Sequence, residues 1–213
     1  MKIARRNRRR TYSLNENAFG RLTLESCYWA GYIAADGCIK YSKYNTRGIL
    51  SFHINKRDKI QLELLKLFIG ANNPIYQYVD DSIELSIRQI NKMALDLKAK
   101  YNITERKSLT LKPPHLSGNM ALAFIVGYLD GDGCITSCHG KRAISFRGTK
   151  AMLSWIQKAF DKLYISDHYC SAKPVFSHGY WSYTVAGNRA EIIGKLLRNI
   201  LVPKMKRKWS KLS

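Results

Sequence analysis

Residues 28–38 read YWAGYIAADGC and residues 124–134 read FIVGYLDGDGC. This internal repeat, at an offset of 96, aligns Gly31 with Gly127, Tyr32 with Tyr128, Asp36 with Asp132, Gly37 with Gly133 and Cys38 with Cys134. A chain of 213 residues that contains two such copies is constrained to fold as two related halves. The downstream patterns repeat in the same order. Alternating stretch 50–54 matches 144–147, helical stretch 58–69 matches 150–163, and strand-like 83–87 matches 181–185. Final helices follow at about 89–101 and 188–201. Period-2 runs read as strands and 3.6-period runs as helices, so each half is αββαββα. The expected class is α+β, with two pseudo-twofold-related repeats joined at a helix pair, each carrying a curved antiparallel sheet. The expected organisation is a basic arm at 1–19, a first repeat at 20–110, a Pro- and Gly-rich linker LKPPHLSGN at 111–119, and a second repeat at 120–213 with a basic C-terminal end.

The first helix of each half carries small residues every four positions: Cys27, Gly31 and Ala35, then Ala123, Gly127 and Gly131. That spacing puts them on one helical face. Glycine inside a helix costs about 1 kcal/mol relative to alanine, and close approach of two helix backbones offsets the cost. The two helices are expected to pair along this face, with Cys27, Gly31, Ala123 and Gly127 in the interface. Trp29, Tyr32, Ile33, Ile125, Tyr128 and Leu129 then enter two cores. The helices begin near Leu24 and near Asn119 or Met120 and end at Asp-Gly, where Gly37 and Gly133 suit left-handed caps. An acid at a helix C-terminus faces the negative end of the dipole, at about 0.3–1 kcal/mol each. The chain breaks this rule twice at matched positions. Parallel pairing of the helices brings Asp36 and Asp132 together, and adjacent carboxylates, with carbonyl and water oxygens, suit a hard divalent cation: Mg²⁺, with Mn²⁺ as the alternative.

Lys and Arg number 36 against 15 Asp and Glu, a net charge of +21. Six positives and no acid occupy residues 1–10, and five positives and no acid occupy 203–213, so the excess over the body is still +10. Such a chain binds a polyanion, nucleic acid before an anionic membrane, because the basic ends lack the apolar stripe of a membrane-surface helix. At 46% hydrophobic residues it is not a disordered basic tail. It has no apolar run long enough to span a membrane and no secretory pattern, which implies an intracellular, non-secreted protein of a bacterial or phage-infected cytoplasm or an organelle. Five cysteines without a secretory signal argue against disulfides. The group Cys134, Cys138, His139, His168 and Cys170 fits no zinc spacing, so no zinc is expected. A basic surface over the acid pair would present a phosphodiester to metal-activated water.

The segments WAGYIAADG (29–37) and IVGYLDGDG (125–133) resemble the two motifs of the LAGLIDADG homing endonucleases in their single-chain form, and the resemblance covers about residues 20–213. It implies a monomer whose two sheets form a saddle over double-stranded DNA. The implied reaction hydrolyses one phosphodiester on each strand of a long, asymmetric site. By the resemblance Asp36 and Asp132 bind metal and direct cleavage, and the peptide oxygens of Ala35 and Gly131 complete the shell. The earlier acidic position of the motif is Asp130 in the second copy and Ala34 in the first. Lys56 and Lys150 are the nearest matches to the basic groups that order water and stabilise the phosphate, with Arg57, Arg88 and Lys204 as further candidates. An RNA maturase assisting intron splicing, with intron RNA as partner, and a non-cleaving DNA-binding protein are the alternatives on the same fold. The intact acid pair favours the nuclease.

On the sheets, Leu50, Phe52, Ile54, Ile83, Leu85, Ile87, Ile144, Phe146, Tyr183 and Val185 alternate with a polar set. That set is Ser51, His53, Asn55, Glu84, Ser86, Arg88, Ser145, Arg147, Ser182 and Thr184, donors and acceptors suited to base edges in a major groove. Lys40, Lys43, Arg47, Arg57, Lys141, Arg142 and Lys173 are suited to phosphates.

Overall fold

The computed structural model of the chain describes residues 12–41, 48–138, 141–163 and 172–212. The first half runs α1 (Leu24–Asp36), β1 (Cys38–Tyr41), β2 (Gly48–Asn55), a 3-10 turn at 56–58, α2 (Lys59–Phe68), β3 (Ile75–Gln77), β4 (Ser82–Arg88), α3 (Asn91–Tyr101) and a short α4 (Lys107–Thr110). The second half runs α5 (Gly118–Asp132), β5 (Cys134–Cys138), β6 (Lys141–Gly148), α6 (Lys150–Leu163), β7 (Val175–Ser177), β8 (Tyr180–Ala186), α7 (Asn188–Arg198) and a short α8 (Lys206–Trp209). Each half holds one antiparallel four-stranded sheet, in the order β1-β2-β4-β3 and β5-β6-β8-β7. The expected α+β double repeat is the observed fold, with one further short helix at the end of each half. No helix among the described residues is long and apolar enough to cross a membrane.

Alternation decides the two faces of each sheet. In β2 and β4 Leu50, Phe52, Ile83, Leu85 and Ile87 are buried, as are Ile144, Phe146, Tyr183 and Val185 in β6 and β8. Amphipathic helices cover this face, and Tyr32 of α1 stacks on Phe52 with ring centroids 5.6 Å apart. The register leaves the polar partners opposite one another on the other face: Ser51 with Ser86, His53 with Glu84, Ser145 with Thr184 and Arg147 with Ser182.

α1 starts at a capping box in which Ser26 N donates to Thr23 Oγ1 at 3.0 Å and Thr23 N donates to Ser26 Oγ at 2.8 Å. It packs against α5 with almost no side chain between them. A Cβ on Gly31 would lie 2.0 Å from the carbonyl oxygen of Phe124, and one on Gly127 would lie 1.9 Å from that of Tyr28. The contact is reciprocal, as the pseudo-twofold repeat requires. Cys27 and Ala123 are buried, and Cys27 Sγ lies 3.7 Å from Met120 Sδ of α5.

Two expectations need correction. Gly37 and Gly133 are not left-handed caps: their φ/ψ values are −73°/150° and −88°/163°, which any residue adopts. Glycine is required there by crowding, since a Cβ would lie 2.8 Å from Ile33 O at position 37 and 2.3 Å from Leu129 Cδ1 at position 133. The N-terminal arm is shorter than 1–19, because Asn15 N donates to Ile69 O at 2.8 Å and Phe19 is fully buried. The basic C-terminal end packs into the second repeat. Lys208, Trp209 and Leu212 are buried.

Gly31→Ala and Gly127→Ala are each expected to destabilise the protein by more than about 3 kcal/mol, above the usual overpacking cost, because the obstacle is a backbone carbonyl rather than a side chain that can turn away. Urea unfolding of the single variants measures this, and an Ala35→Gly variant, which only adds space, should not show a comparable loss.

Candidate active site

The small-residue faces bring the ends of α1 and α5 together. A Cβ on Gly131 would lie 2.3 Å from Ala35 Cβ and 3.3 Å from Asp36 Cγ. Asp36 and Asp132 therefore share one end of the interface. Burial and the neighbouring Asp132 push the Asp36 carboxyl up to about 6 from its ordinary 3.8. Asp132 has more of its surface open to solvent, yet burial against the helix ends raises its carboxyl too, while Lys107, Lys208 and Arg147 pull it the other way.

Those two lysines resolve the broken dipole rule. Lys107, on α4, donates to Ala34 O at 2.6 Å and Ala35 O at 2.7 Å, at the C-terminus of α1. Lys208, on α8, lies within 3.0 Å of the carbonyl oxygens of Leu129, Asp130, Gly131 and Gly133, at the C-terminus of α5. Each half thus folds a short helix back so that a buried ammonium caps the helix whose last residue is the acid, where the dipole favours a cation. Burial lowers both lysine pKa values, and nearby acids oppose that: Asp132 and Asp36 for Lys107, Asp130 first for Lys208. Lys107 uses two of its three N–H groups on carbonyls. Lys208 meets four carbonyls with three N–H groups, so every donor is engaged.

The carboxylates of Asp36 and Asp132 suit a divalent metal. The peptide oxygens of Ala35 and Gly131 already accept a lysine hydrogen bond at 2.7 Å and keep one lone pair free. Among the described residues no three His, Cys, Asp or Glu side chains come together as a metal site. A cation on the acid pair would therefore take its other ligands from carbonyls and water.

The lysines expected beside the acids make other contacts. Lys56 pairs with Asp81 of the β3–β4 turn at 2.5 Å, with about half of its side chain exposed. Lys150, at the start of α6, places its Nζ 4.9 Å from the centroid of the Trp181 ring. Lys204 turns back to the carbonyl of Ile200. Sequence reasoning missed Lys107 and Lys208 although a signal exists: Arg106-Lys107 and Arg207-Lys208 repeat at an offset of 101, close behind the last long helix of each half.

The polar faces hold most of the expected DNA-reading residues. His53 Nε2 and Ser82 Oγ are 2.8 Å apart, Tyr78 donates to Glu84 at 2.6 Å, and Ser145 Oγ and Thr184 Oγ1 are 2.9 Å apart. Arg147 lies over the Tyr180 ring at 4.5 Å and acts electrostatically on Asp132, which places it where the sheet meets the acids. Asn55 is committed locally, its Oδ1 accepting from Arg57 N at 3.1 Å to cap the 3-10 turn. Ser51, Ser86 and Ser182 are partly buried between these groups, and Lys40, Arg57, Arg88 and Lys173 are exposed; Arg142 is half-buried. Lys43 and Arg47 lie outside the described residues, as do the side chain of Lys141 and, of the cysteine–histidine group, all but Cys134.

Paired αββαββα repeats meeting on two Asp-terminated helices define the fold of the LAGLIDADG homing endonucleases, and this chain has that fold. It is similar to a lysine-to-alanine variant of I-SmaMI at 14% identity, covering 84% of this chain and 85% of that one with a TM-score of 0.59. It is also similar to the LAGLIDADG homing endonuclease I-LtrWI bound to its target DNA (14% identity, 93% and 89% covered, TM-score 0.57). A third similar structure is the LAGLIDADG meganuclease I-AabMI bound to uncleaved DNA (12% identity, 87% and 86% covered, TM-score 0.56). No family model and no curated protein matches the sequence.

Because burial raises Asp36, ionising it costs the fold free energy. The stability tied to this group is complete near pH 4 and lost as pH rises through about 6. A rise from 3.8 to about 6 sets a ceiling of about 3 kcal/mol, and the remaining solvent reduces the expectation to about 1–2 kcal/mol. In EDTA, Asp36→Asn should therefore be more stable than the wild type above pH 6 and similar near pH 4. Thermal melts across that range test it, and a constant difference at all pH values counts against it.

Proposed function

We propose that the protein is a site-specific DNA endonuclease that hydrolyses one phosphodiester on each strand of a long, asymmetric double-stranded site with a divalent cation. The observation that carries this reading is the duplicated pair at the helix ends. Two acids that repel one another are retained side by side, each with a buried lysine on the carbonyl before it. A structural interface has no use for that arrangement, whereas a phosphodiester hydrolase needs it. That two of the similar structures are bound to DNA supports a duplex as the substrate.

Asp36 and Asp132 would hold the cation, Mg²⁺ or Mn²⁺, which when bound supplies Lewis-acid polarisation of the phosphate and a more acidic water. Lys107 and Lys208 fix the peptide preceding each acid and supply positive charge beside the scissile phosphate as it gains negative charge. The third N–H of Lys107, which has no acceptor among the described residues, is available to water or a phosphate oxygen. Arg147 adds charge from the sheet side. The basic loops and ends bind phosphates, and the polar sheet faces read bases. The two faces differ, His53 and Glu84 in one against Arg147 and Thr184 in the other, so the half-sites differ.

Asp36→Asn should abolish double-strand cleavage and leave DNA affinity in the absence of metal nearly unchanged. Lys107→Met should lower the cleavage rate by about 10² or more, whereas Lys56→Met and Lys150→Met should stay within about threefold. Cleavage selection from a randomised duplex library, with and without Mg²⁺, supplies the substrate for these assays. Recovery of a palindromic site would contradict the asymmetry. Binding without cleavage by the wild type would favour a non-cleaving DNA-binding protein, and specific binding of intron RNA instead would favour a maturase.

A further inference from the structure

Asp130 occupies the earlier acidic position of the second motif, where the first motif has Ala34. It is completely buried. Its Oδ2 accepts from Tyr28 Oη at 2.7 Å and from Met205 N at 2.9 Å, and its Oδ1 accepts from Trp209 Nε1 at 2.7 Å. The Tyr28 hydroxyl in turn accepts from Gln61 Nε2. Met205 immediately precedes α8 and Trp209 is its last residue, so one carboxylate ties down both ends of the helix that carries Lys208. A four-residue helix has no stability of its own. The place of Lys208 is therefore decided by what holds the helix ends.

The first half reaches the same lysine geometry without a buried acid. There Tyr41 N donates to Glu105 Oε1 at 2.7 Å, Thr149 Oγ1 donates to Leu111 O at 2.6 Å, and Leu111 is buried. Burying a carboxylate is costly, and Ala34 demonstrates that the helix pair does not need one at this position. What Asp130 adds is the docking of α8.

We infer that Asp130 is a positioning residue for one of the two strand cleavages, acting by docking the segment that presents Lys208 to the end of α5. This rests on the proposed nuclease reading. It also implies that the two half-reactions are held by different devices and can be uncoupled. Losing Asp130 should convert the enzyme towards a nicking activity, because Lys107 and its supports are untouched.

The test is a double-variant cycle on a supercoiled plasmid carrying the selected site, with each strand end-labelled so that the two cuts are timed separately. Asp130→Ala should slow one strand by about tenfold or more, the same strand that Lys208→Met slows. The other strand and the metal-free DNA affinity should stay within about threefold. In a Lys208→Met background, Asp130→Ala should have little further effect on that strand. Equal slowing of both strands, multiplicative effects in the double variant, or no effect of Asp130→Ala would each overturn the inference. If Asp130→Ala fails to fold, Asp130→Asn, which keeps one acceptor oxygen, takes its place in the same cycle. Hydrogen exchange reads the docking without any cleavage. Amides at 205–209 should lose protection in Asp130→Ala and keep it in Lys208→Met, and retained protection in the former overturns the inference. A wild type that cuts no duplex would instead overturn the nuclease reading, and the exchange result would still stand.

Discussion

Two backbones touching at Gly31 and Gly127 set the geometry of the whole molecule. With no Cβ at either position, α1 and α5 approach until the carbonyl of Phe124 meets Gly31 and that of Tyr28 meets Gly127. Everything that bears on chemistry lies downstream of that contact. It brings Asp36 and Asp132 to a common end and joins Trp29, Tyr32, Ile125 and Tyr128 in one continuous hydrophobic core rather than the two that the repeat suggested.

Placing two acids there creates an electrostatic problem. Each carboxylate sits at the negative end of a helix and feels the other, and burial raises both. The structure answers with Lys107 and Lys208, which cap the same helix ends with positive charge. The molecule thus concentrates opposite charges in a small volume. The chain carries a net +21, whereas the site sets Asp36 and Asp132 against Lys107 and Lys208.

Much of this was legible in the sequence. Strands with strict alternation, such as Leu50–Ile54 and Ile83–Ile87, and the small-residue spacing from Cys27 to Ala35 carry periodicities that admit one geometric reading. The lysines were not, because α4 and α8 span four residues each and are too short to display a helical period. Their partners are backbone carbonyls, which no residue type marks. The family resemblance pointed instead to Lys56 and Lys150, which are taken up by Asp81 and Trp181. Gly37 and Gly133 illustrate a different gap. A glycine after a helix suggests a left-handed turn, yet here it answers a lack of space against Ile33 and Leu129, which only the folded neighbourhood reveals.

A seam made of small residues and carbonyl oxygens is close but anonymous: it carries few groups that distinguish one register of the helices from another. The Tyr28–Asp130 hydrogen bond supplies a distinguishing mark, because it runs from α1 to α5 and pairs a phenol with a carboxylate that has no counterpart at Ala34. The Arg207–Asp58 pair adds another, reaching from the last segment of the chain to the start of α2 at 2.5 and 2.6 Å. Glycine thus supplies proximity, and a few lopsided polar contacts supply identity. In a duplicated protein, such contacts distinguish the pairing of unlike halves from a pairing of like ones, which would lack them.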